Sequence, residues 1–249
     1  MKKIVLIIQA RMGSERLPGK SMMDLAGASI IERTIERIKK TRTVDEIVLA
    51  TTFLHEDNVI ADVGESLGIS VFRGSKNDLV DRFYQASKAF KADVIVRFPG
   101  DNPTPEPLEI DRIVEYHLLG KCDFSSNIMP FYMNGYPMGI GAEVFNLEIL
   151  EDIWKRNHDP IKREHLALNF FDFFTQKPVE PERYKVGTIQ CPHSFRRPDL
   201  IFHVDTQEDY QYMRSLYDYL YPKNNNFHIT DIIKWHDTIY AKNNKSYEQ

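Results

Sequence analysis

Four short apolar runs, separated by segments with a helical pattern, restrict the fold of this chain more than any other feature. Each run is almost continuously apolar, as expected for a strand that is covered on both faces of a sheet. The intervening segments carry apolar residues three and four positions apart, which indicates helices that cover the sheet. The predicted strands are IVLIIQA, EIVLAT, SVFR and DVIVRF, and the predicted helices are SIIERTIERIKK, EDNVIADVGESLG and DLVDRFYQASKAF. This alternation predicts an α/β fold built on a parallel sheet.

The pattern becomes less regular beyond about residue 120. The stretch CDFSSNIMPFYMNGYPMGIGAEVF mixes Gly, Pro, Asn and aromatic residues, which predicts a mobile, ligand-facing segment rather than core. Further strands are predicted at AEVFN, YKVGTIQ and LIFHVD. Further helices are predicted at LEILEDIWKRN, IKREHLALNFFDFF, TQEDYQYMRSLYDYL and ITDIIKWHDTIYA. The last residues, KNNKSYEQ, are expected to form a frayed tail.

Composition limits the kind of protein that this chain can be. Its 249 residues, 42% of them hydrophobic, can bury a substantial core, and we expect one domain rather than two. The net charge of -4 argues against a nucleic-acid partner, because nucleic-acid-binding proteins usually carry a basic field. Cys122 and Cys191 are the only cysteines and indicate neither a disulfide framework nor a clustered zinc site. No apolar run has the length of a membrane span, so a cytoplasmic protein without membrane insertion is expected.

The stretch RMGSERLPGKS follows the first predicted strand and is close to a phosphate-binding P-loop. A P-loop has four residues between its first Gly and the Gly-Lys-Ser/Thr, whereas five separate Gly13 from Gly19. The P-loop interpretation is therefore rejected. Three cations, Arg11, Arg16 and Lys20, still lie within a stretch of ten residues, in a loop that also contains Gly13 and Gly19. This density favours a loop that holds polyanions over ordinary solvated surface charges.

Two acidic residues follow other predicted strands. Asp101 lies in the turn FPGDNPTPEP and Asp205 lies in VDTQED. Asp is common in turns and at helix starts, so either residue alone has a purely structural interpretation. In an open α/β sheet, however, ligands bind at the carboxyl ends of the strands. Two carboxylates at neighbouring strand ends, opposite a cationic loop, therefore predict a Mg²⁺ site shared with substrate phosphates.

Other polar residues have weaker signals. Arg97 precedes the turn of Asp101 and is a further candidate cation. Asp81 and Arg82 fit an exposed helix face as well as a binding site, and Glu164 and His165 fit one turn of an ordinary helix. No acid or His spacing indicates a zinc site.

Several ordered motifs together resemble a known family. IVLIIQARMGSERLPGKSMMDLAG, FRGSKNDLVDRFYQA, VIVRFPGDNP, AEVF, REH and VDTQEDY are similar to SpsF-type members of the cytidylyltransferase superfamily, relatives of the CMP-Kdo and CMP-acylneuraminate synthetases. The similarity extends from residue 1 to about residue 220. It implies a three-layer, Rossmann-like nucleotide-diphospho-sugar transferase fold with a mostly parallel central sheet. It also implies a nucleotidyltransferase domain at 1–222 and a C-terminal helix and tail at 223–249.

The resemblance assigns roles to individual residues. Catalytic roles fall on Arg11, Lys20 and Asp101, and Mg²⁺ ligation falls on Asp101 and Asp205. The nucleotide-binding residues expected on this basis are Gln9, Ala10, Arg11, Met12, Gly13, Ser14, Lys20, Thr51, Arg73, Asp81, Arg82, Arg97 and Gly100. The region of about 122–190 is expected to bind the acceptor and to form a homodimer interface. Its candidate acceptor-binding residues are Asn127, Tyr136, Glu143, Glu164 and His165, with Tyr132 as a weaker candidate.

Two departures from the family pattern concern the acceptor. SpsF-like sequences often read Gly-Leu-Asp-Val-Glu where this chain has Gly139-Ile140-Gly141-Ala142-Glu143, so an acidic side chain is missing at Gly141. They also commonly carry Arg at the position of Ile201. The handling of the triphosphate is not affected by either departure.

The expected reaction is transfer of CMP from CTP to a small-molecule acceptor, a sugar acid or a phosphorylated compound, in surface-glycan or glycoconjugate biosynthesis. Three alternatives remain open at this point. The fold also hosts glycosyltransferases that consume nucleotide sugars, although no Asp-x-Asp motif stands at a strand end here. Another nucleoside triphosphate is possible, because the base is read largely by backbone groups. The third alternative is a nucleotide-binding module without catalytic activity.

Overall fold

Strands and helices alternate along the chain in the computed structural model, which describes residues 2–128 and 131–241. The strands are β1 (Ile4–Gln9), β2 (Asp24–Leu25), β3 (Ala28–Ser29), β4 (Glu46–Thr52), β5 (Ser70–Gly74), β6 (Val94–Pro99), β7 (Phe124–Ser126), β8 (Glu143–Asn146), β9 (Phe171–Asp172), β10 (Lys177–Pro178) and β11 (Val186–Gly187). The helices are α1 (Ile30–Ile38), α2 (Asn58–Ser66), α3 (Leu79–Ala89), α4 (Pro107–Leu118), α5 (Leu147–Arg156), α6 (Pro160–Glu164), α7 (Gln207–Leu220) and α8 (Ile229–Trp235). The four strands and three helices predicted for the first half are confirmed.

Seven strands form one sheet in the order β11-β7-β8-β6-β1-β4-β5. Strand β1 lies between β4 and β6 and pairs in parallel with both, whereas β8 runs antiparallel to both of its neighbours. The chain moves from β1 outward to β4 and β5, and then returns to β6 on the opposite side of β1. The strand order therefore reverses between β1 and β6. The carboxyl ends of these two strands mark the position at which open α/β sheets bind ligands.

Apolar side chains of the helices pack on both faces of this sheet and confirm the predicted α/β class with its three layers. Helices α3 and α5 cover one face, and helices α1, α2 and α4 cover the other. A third apolar cluster joins α7 and α8 to the short β2–β3 hairpin through Leu25, Tyr217, Phe227, Ile229 and Trp235, among others. Helix α8 thus packs with α7 and the β2–β3 hairpin in one apolar cluster. The tail predicted at KNNKSYEQ lies outside the described residues.

Side-chain caps define the start of four of the described helices, α1, α3, α6 and α7. Ser29 and Glu32 form a capping box at α1, Thr206 and Asp209 form one at α7, and Asp78 caps α3. Each such cap is worth about 1 kcal/mol. Helix α2 differs, because its N-cap residue makes no side-chain cap hydrogen bond.

The helix predicted at IKREHLALNFFDFF is wrong over most of its length. Helix α6 ends before His165, whose backbone angles of -113° and 82° are not helical. Beyond it, the buried amide of Asn169 donates to the carbonyls of Lys162 and Leu166, both at 2.9 Å, in competition with the helical hydrogen bonds. The segment therefore continues as a single turn and then as β9.

Two predicted strands are much shorter than expected. Only Val186–Gly187 of YKVGTIQ pairs as a strand, and LIFHVD contributes a single bridge between Ile201 and Met138. The backbone of LIFHVD instead bonds to two different loops. Phe202 N–H donates to the carbonyl of Met138, and Val204 N–H donates to the carbonyl of Asp101, each at 2.9 Å. The second of these bonds brings the segment that follows Val204 beside the end of β6.

The segment predicted to be mobile and ligand-facing is instead largely core. Residues Phe124–Ser126 form β7 inside the sheet, and Asn127, Asn134, Tyr136 and Ile140 are fully buried. Helix α4, which precedes this segment and begins at Pro107, was not predicted. Within the part of the chain that the structure describes, no helix is both long and apolar enough to span a membrane.

Candidate active site

A cleft of about 520 Å³ opens at the carboxyl ends of β1 and β6, where the strand order reverses. Its walls come from the loop after β1, the start of α3, the end of β6, the end of α6 and the segment before α7. The lining residues are Gln9, Ala10, Arg11, Ser14, Glu15, Arg16, Lys20, Ser21, Lys76, Leu79, Arg82, Arg97, Pro99, Asp101, Glu164, His165 and Asp205. Six of these side chains are cations and four are carboxylates, so the cleft is polar with a positive excess.

The loop after β1 folds back on itself, and this brings Lys20 under the end of the strand. The carbonyl of Met12 accepts hydrogen bonds from the N–H groups of Ser14, at 2.9 Å, and Gly19, at 3.0 Å. Gly19 has a φ of +75°, a conformation that only glycine adopts at little cost. Lys20 then begins a short 3-10 turn and is itself buried.

The ammonium group of Lys20 joins two acids that are more than a hundred residues apart in sequence. Lys20 Nζ donates to Asp101 Oδ2 at 2.5 Å, to the Val204 carbonyl at 2.7 Å and to Asp205 Oδ1 at 2.8 Å. These three acceptors use all three of its N–H donors. Arg16 lies 2.7 Å from the other oxygen of Asp205. The structure thus brings Lys20, Asp101 and Asp205 together at one point of the cleft.

The two carboxylates keep Lys20 charged despite its burial. Burial lowers the pKa of a lysine, but the charges and hydrogen bonds of Asp101 and Asp205 outweigh this effect, and the pKa of Lys20 is raised. Burial likewise acts to raise the pKa of Asp205, and Lys20 more than compensates, so the pKa of Asp205 is lowered.

Arg11 connects the two sides of the cleft. Its Nη1 donates to the Lys76 carbonyl at 2.9 Å, and its Nη2 lies 3.0 Å from Glu164 Oε1 at the end of α6. Glu164 and the adjacent His165 are exposed and line the cleft, as predicted for residues that face a ligand.

Arg82 is the least compensated cation of the cleft. The residue is only 4% exposed, and its Nε and Nη1 atoms are buried without a hydrogen-bond partner among the described residues. Burial, and then the charge of Arg11, lower the pKa of Arg82 to about 10, so the guanidinium is still protonated at neutral pH. A buried cation with free donors is costly unless an anion binds to it.

Arg97 is held in place by two neighbours. Its Nη1 lies 2.6 Å from Glu143 Oε2, and its Nε donates to Gln9 Oε1 at 2.9 Å. Arg97 and Glu143 are register partners on the antiparallel strands β6 and β8. Glu143 is fully buried and does not line the cleft, so it acts on the cleft through Arg97 rather than by contact with a ligand.

Six residues expected to bind the nucleotide do not line the cleft, namely Met12, Gly13, Thr51, Arg73, Asp81 and Gly100. Asp81 accepts a hydrogen bond from the Trp154 indole at 2.7 Å, and Arg73 donates to Asn58 at 2.8 Å. Gly100 is a packing position, because a Cβ atom there would lie 2.7 Å from the Gln9 carbonyl oxygen.

Asn127 and Tyr136, two of the residues expected to bind the acceptor, belong to the core. Both are fully buried, and neither lines the cleft. The Asn127 amide donates to the Glu109 carbonyl and accepts from the Ala142 N–H, each at 2.9 Å. The Tyr136 hydroxyl donates to the Glu109 carboxylate. These two residues complete the hydrogen bonding of the core, so we do not retain them as acceptor-binding residues.

The missing acidic side chain at Gly141 has the same explanation. A Cβ atom on Gly141 would lie 2.1 Å from Asn127 Oδ1, so the Asn127 amide occupies the space that a side chain at residue 141 requires. Ile201, the second departure, is about half exposed and lies outside the cleft lining.

Sequence reasoning missed two residues beside the cleft. Lys76 follows the strand β5, and the same strand-end rule that located Asp101 would have indicated it. Asp57 stands at the start of α2, where an acid resembles an ordinary helix cap, and no sequence pattern distinguishes it.

Comparison with known proteins agrees with the fold. The chain matches the cytidylyltransferase family model over residues 5–244. It is 32% identical to the spore coat polysaccharide biosynthesis protein SpsF of Bacillus subtilis, over 87% of each chain. It is 39% identical to an uncharacterised protein, MJ1063, of Methanocaldococcus jannaschii, over 84% of this chain and 81% of the relative.

A solved structure shows the same architecture over almost the whole chain. The structure of a cytidylyltransferase from Leptospira borgpetersenii superimposes with a TM-score of 0.85 at 28% identity, covering 97% of this chain and 96% of that chain. Together with the family match, which spans nearly all the residues, these similarities define the relationship. The chain belongs to the cytidylyltransferase family.

Proposed function

We propose that this protein transfers CMP from CTP to a sugar-acid or phosphorylated acceptor and releases pyrophosphate, as a step of surface-glycan or glycoconjugate biosynthesis. The observation that carries the proposal is the convergence of Asp101 and Asp205 on Lys20 in a cleft that four arginines also line. Membership of the cytidylyltransferase family supports the nucleotide and the reaction type. The similarity to SpsF, a polysaccharide biosynthesis protein, supports the pathway class.

The cations of the cleft supply the binding energy for a triphosphate. Arg82 has two buried donors without partners among the described residues. The ion pairs of Arg11 and Arg16 with acids are partly exposed. Such exposed pairs contribute little, about 0–1 kcal/mol each, so a polyphosphate readily replaces them. Charge-assisted hydrogen bonds from arginine to phosphate are about twice as strong as neutral ones.

The donor set also fits Mg²⁺. Asp101 and Asp205 both contact one point, the Lys20 ammonium, and both remain partly exposed to the cleft. Across residues 2–128 and 131–241, no group of three or more His, Cys, Asp and Glu side chains is positioned to hold a metal. A pair of carboxylates, with the other ligands supplied by phosphates and water, is the usual protein contribution to a Mg²⁺ site. When bound, the ion would withdraw charge from the phosphate oxygens.

The residues of the chain then position the reactants for in-line displacement. An acceptor oxygen forms a bond to the α-phosphorus of CTP, and the bond to the bridging oxygen breaks, so pyrophosphate leaves with the electron pair. Lys20 and Arg11 stabilise the charge that develops on the leaving group. Positioning and charge neutralisation dominate such reactions, and no protein nucleophile is required.

The acceptor binds on the side of the cleft that is formed by the end of α6. If the acceptor is a hydroxyl, its proton passes to Glu164 or His165, which are exposed there. A phosphate or phosphonate oxygen needs no base.

A pyrophosphate-release screen tests the proposal. The purified protein is assayed with Mg²⁺ and each of the four nucleoside triphosphates, against 3-deoxy-ulosonic acids, other nonulosonic acids, sugar phosphates and phosphonates. Pyrophosphate release that requires both CTP and one acceptor class is expected. Pyrophosphate release with a different nucleoside triphosphate would show that the enzyme transfers a nucleotide with another base. Transfer from a nucleotide sugar, with no pyrophosphate formed from any triphosphate, would replace the proposal with a glycosyltransferase.

A further inference from the structure

We propose that Asp57 is a positioning residue for the nucleotide, because its buried carboxylate fixes the backbone of the loop that follows β1. The proposal rests on the proposed function, since it takes the nucleotide to be the ligand of that loop. Asp57 does not line the cleft and therefore acts through the loop rather than on the substrate.

Both oxygens of the Asp57 carboxylate are committed to neighbouring segments. Asp57 is fully buried, and its Oδ1 accepts a hydrogen bond from the Met12 N–H at 2.6 Å. Its Oδ2 accepts from the hydroxyl of Thr52 at the end of β4. Through Asp57, these bonds join the loop after β1 to the end of the adjacent strand β4. Met12 and Asp57 are 45 residues apart in sequence.

The position of Asp57 in its own helix shows that these contacts replace local ones. Asp57 is the N-cap residue of α2, and an aspartate there normally accepts from the N–H groups of the first helical turn. It makes no such bond, whereas the N-cap residues Ser29, Asp78 and Thr206 all do. The carboxylate is thus used for the distant loop instead of the helix that it begins.

The contact restrains the loop at Met12, whose carbonyl is also hydrogen-bonded within the loop. The Met12 N–H is held by Asp57, and the Met12 carbonyl is held by the N–H groups of Ser14 and Gly19. Gly13 also packs against the same segment, since a Cβ atom on Gly13 would lie 3.3 Å from Glu56 Oε1. Residues 56 and 57 therefore contact the loop at Met12 and Gly13, neither of which lines the cleft.

Asp57 also lies close enough to Arg82 to influence the pKa of its guanidinium group. The negative charge of Asp57 opposes the effect of burial on the pKa of Arg82. Asp57 forms no ion pair with any of the described residues, so its hydrogen bonds to the loop and to Thr52 are its direct stabilising contacts. The carboxylate is therefore linked both to the loop and to the cationic wall of the cleft.

The test compares Asp57→Ala and Asp57→Asn with a matched control at Asp111. Asp111 is also a buried aspartate, and it accepts from the backbone N–H groups of Arg42 and Thr43 and from a threonine hydroxyl, away from the cleft. We expect Asp57→Ala to weaken CTP binding, measured by calorimetry, by about tenfold or more. Asp57→Asn, which retains an acceptor for Met12, should stay within about threefold of wild type, and Asp111→Ala within about twofold.

Turnover provides a second readout. We expect Asp57→Ala to raise KM for CTP more than it lowers kcat, because the loop is displaced while Asp101 and Asp205, which lie outside it, keep their positions. Equal CTP affinity in Asp57→Ala and wild type would overturn the proposal, and so would equal weakening in Asp57→Ala and Asp111→Ala, which indicates general destabilisation. If Asp57→Ala does not fold, Thr52→Val decides the matter. Faster amide exchange at Met12 and weaker CTP binding in that variant support the proposal, and wild-type values of both overturn it.

The two levels of the proposal fail in different ways. Wild-type protein that binds no nucleoside triphosphate, with or without Mg²⁺, contradicts the proposed function. Wild-type protein that binds CTP, together with an Asp57→Ala variant that binds it equally well, contradicts only the role of Asp57.

Discussion

The two sides of the central sheet use their polar residues in different ways. On the side formed by β1, β4, β5 and β6, polar residues stand just beyond parallel strands and face the cleft, as Arg11, Lys20 and Asp101 do. On the side formed by β7 and β8, the polar residues Asn127 and Glu143 lie inside the core and bond to protein groups. A polar residue is therefore a good indicator of a binding site where a parallel strand ends. Where the backbone is irregular, the same residue is often needed to satisfy buried hydrogen-bonding groups.

The largest effect is expected from the acids of the first side. Asp101→Asn and Asp205→Asn should each lower kcat for CTP-dependent pyrophosphate release by about 100-fold or more, because a preorganised charge is lost at the reacting phosphate. Asp111→Asn, a buried aspartate remote from the cleft, serves as the control for folding. Rates near that of wild type in both cleft variants would remove the acids from the reaction.

Arg82 distinguishes a ligand-binding cation from a structural one. Arg82→Leu should weaken CTP binding by about 10- to 100-fold while leaving the melting temperature unchanged or higher, since the removed charge has two unpartnered donors. Arg37 is the matched control, because it is equally buried but bonds to the carbonyls of Pro105 and Phe227. Arg37→Leu should do the reverse and lower stability without changing CTP affinity. Similar behaviour of the two variants would end the distinction.

Asn127 tests the second side of the comparison. Asn127→Ala should lower the free energy of unfolding by about 2 kcal/mol, because the buried Glu109 carbonyl and Ala142 N–H lose their partner. Chemical denaturation measures this change. KM for CTP and for the acceptor should remain within about twofold of wild type. An unchanged stability combined with a raised acceptor KM would instead return Asn127 to the binding site.

The smallest effect is expected for Glu164, whose ion pair with Arg11 lies in the cleft. Glu164→Gln removes an exposed ion pair with Arg11, and such pairs contribute less than about 1 kcal/mol. CTP affinity should rise by about two- to threefold at low salt, since Arg11 no longer has a competing carboxylate, and the gain should shrink as salt is added. Titration calorimetry at two salt concentrations measures both changes. A loss of affinity would show that Glu164 assists the nucleotide rather than competing with it.

The sequence predicted the first half of the fold well because local signals and tertiary structure agree there. Apolar runs, capping residues and strand-end clusters located β1, β4, β5 and β6 and three of the helices that cover them. It also predicted that Asp101 and Asp205 approach each other, from the rule that strand ends meet at one edge of a sheet. Asp205, however, reaches that edge through single backbone bonds to loops rather than through a strand.

The remaining features depend on contacts that no local pattern reveals. Asn169 interrupts a regular helical pattern only because its side chain finds two buried carbonyls. Asn127 fills the space beside Gly141 and so turns a predicted ligand-binding residue into a packing residue. Asp57 looks like a helix cap until the structure shows which N–H group it accepts from. In each case, the partner lies where only the folded chain can bring it.

The reversed direction of β8 influences how this scaffold can change over evolutionary time. Since β8 runs antiparallel to β6, its first residue, Glu143, lies at the cleft end of the sheet. The connection from β7 to β8 begins and ends at that same end. None of the described residues of that connection lines the cleft, so insertions or exchanges within it would change the surroundings of the cleft without altering the register of β1 and β6, on which the acids and cations depend. The topology thus separates the part of the enzyme that can diversify from the part that must be kept.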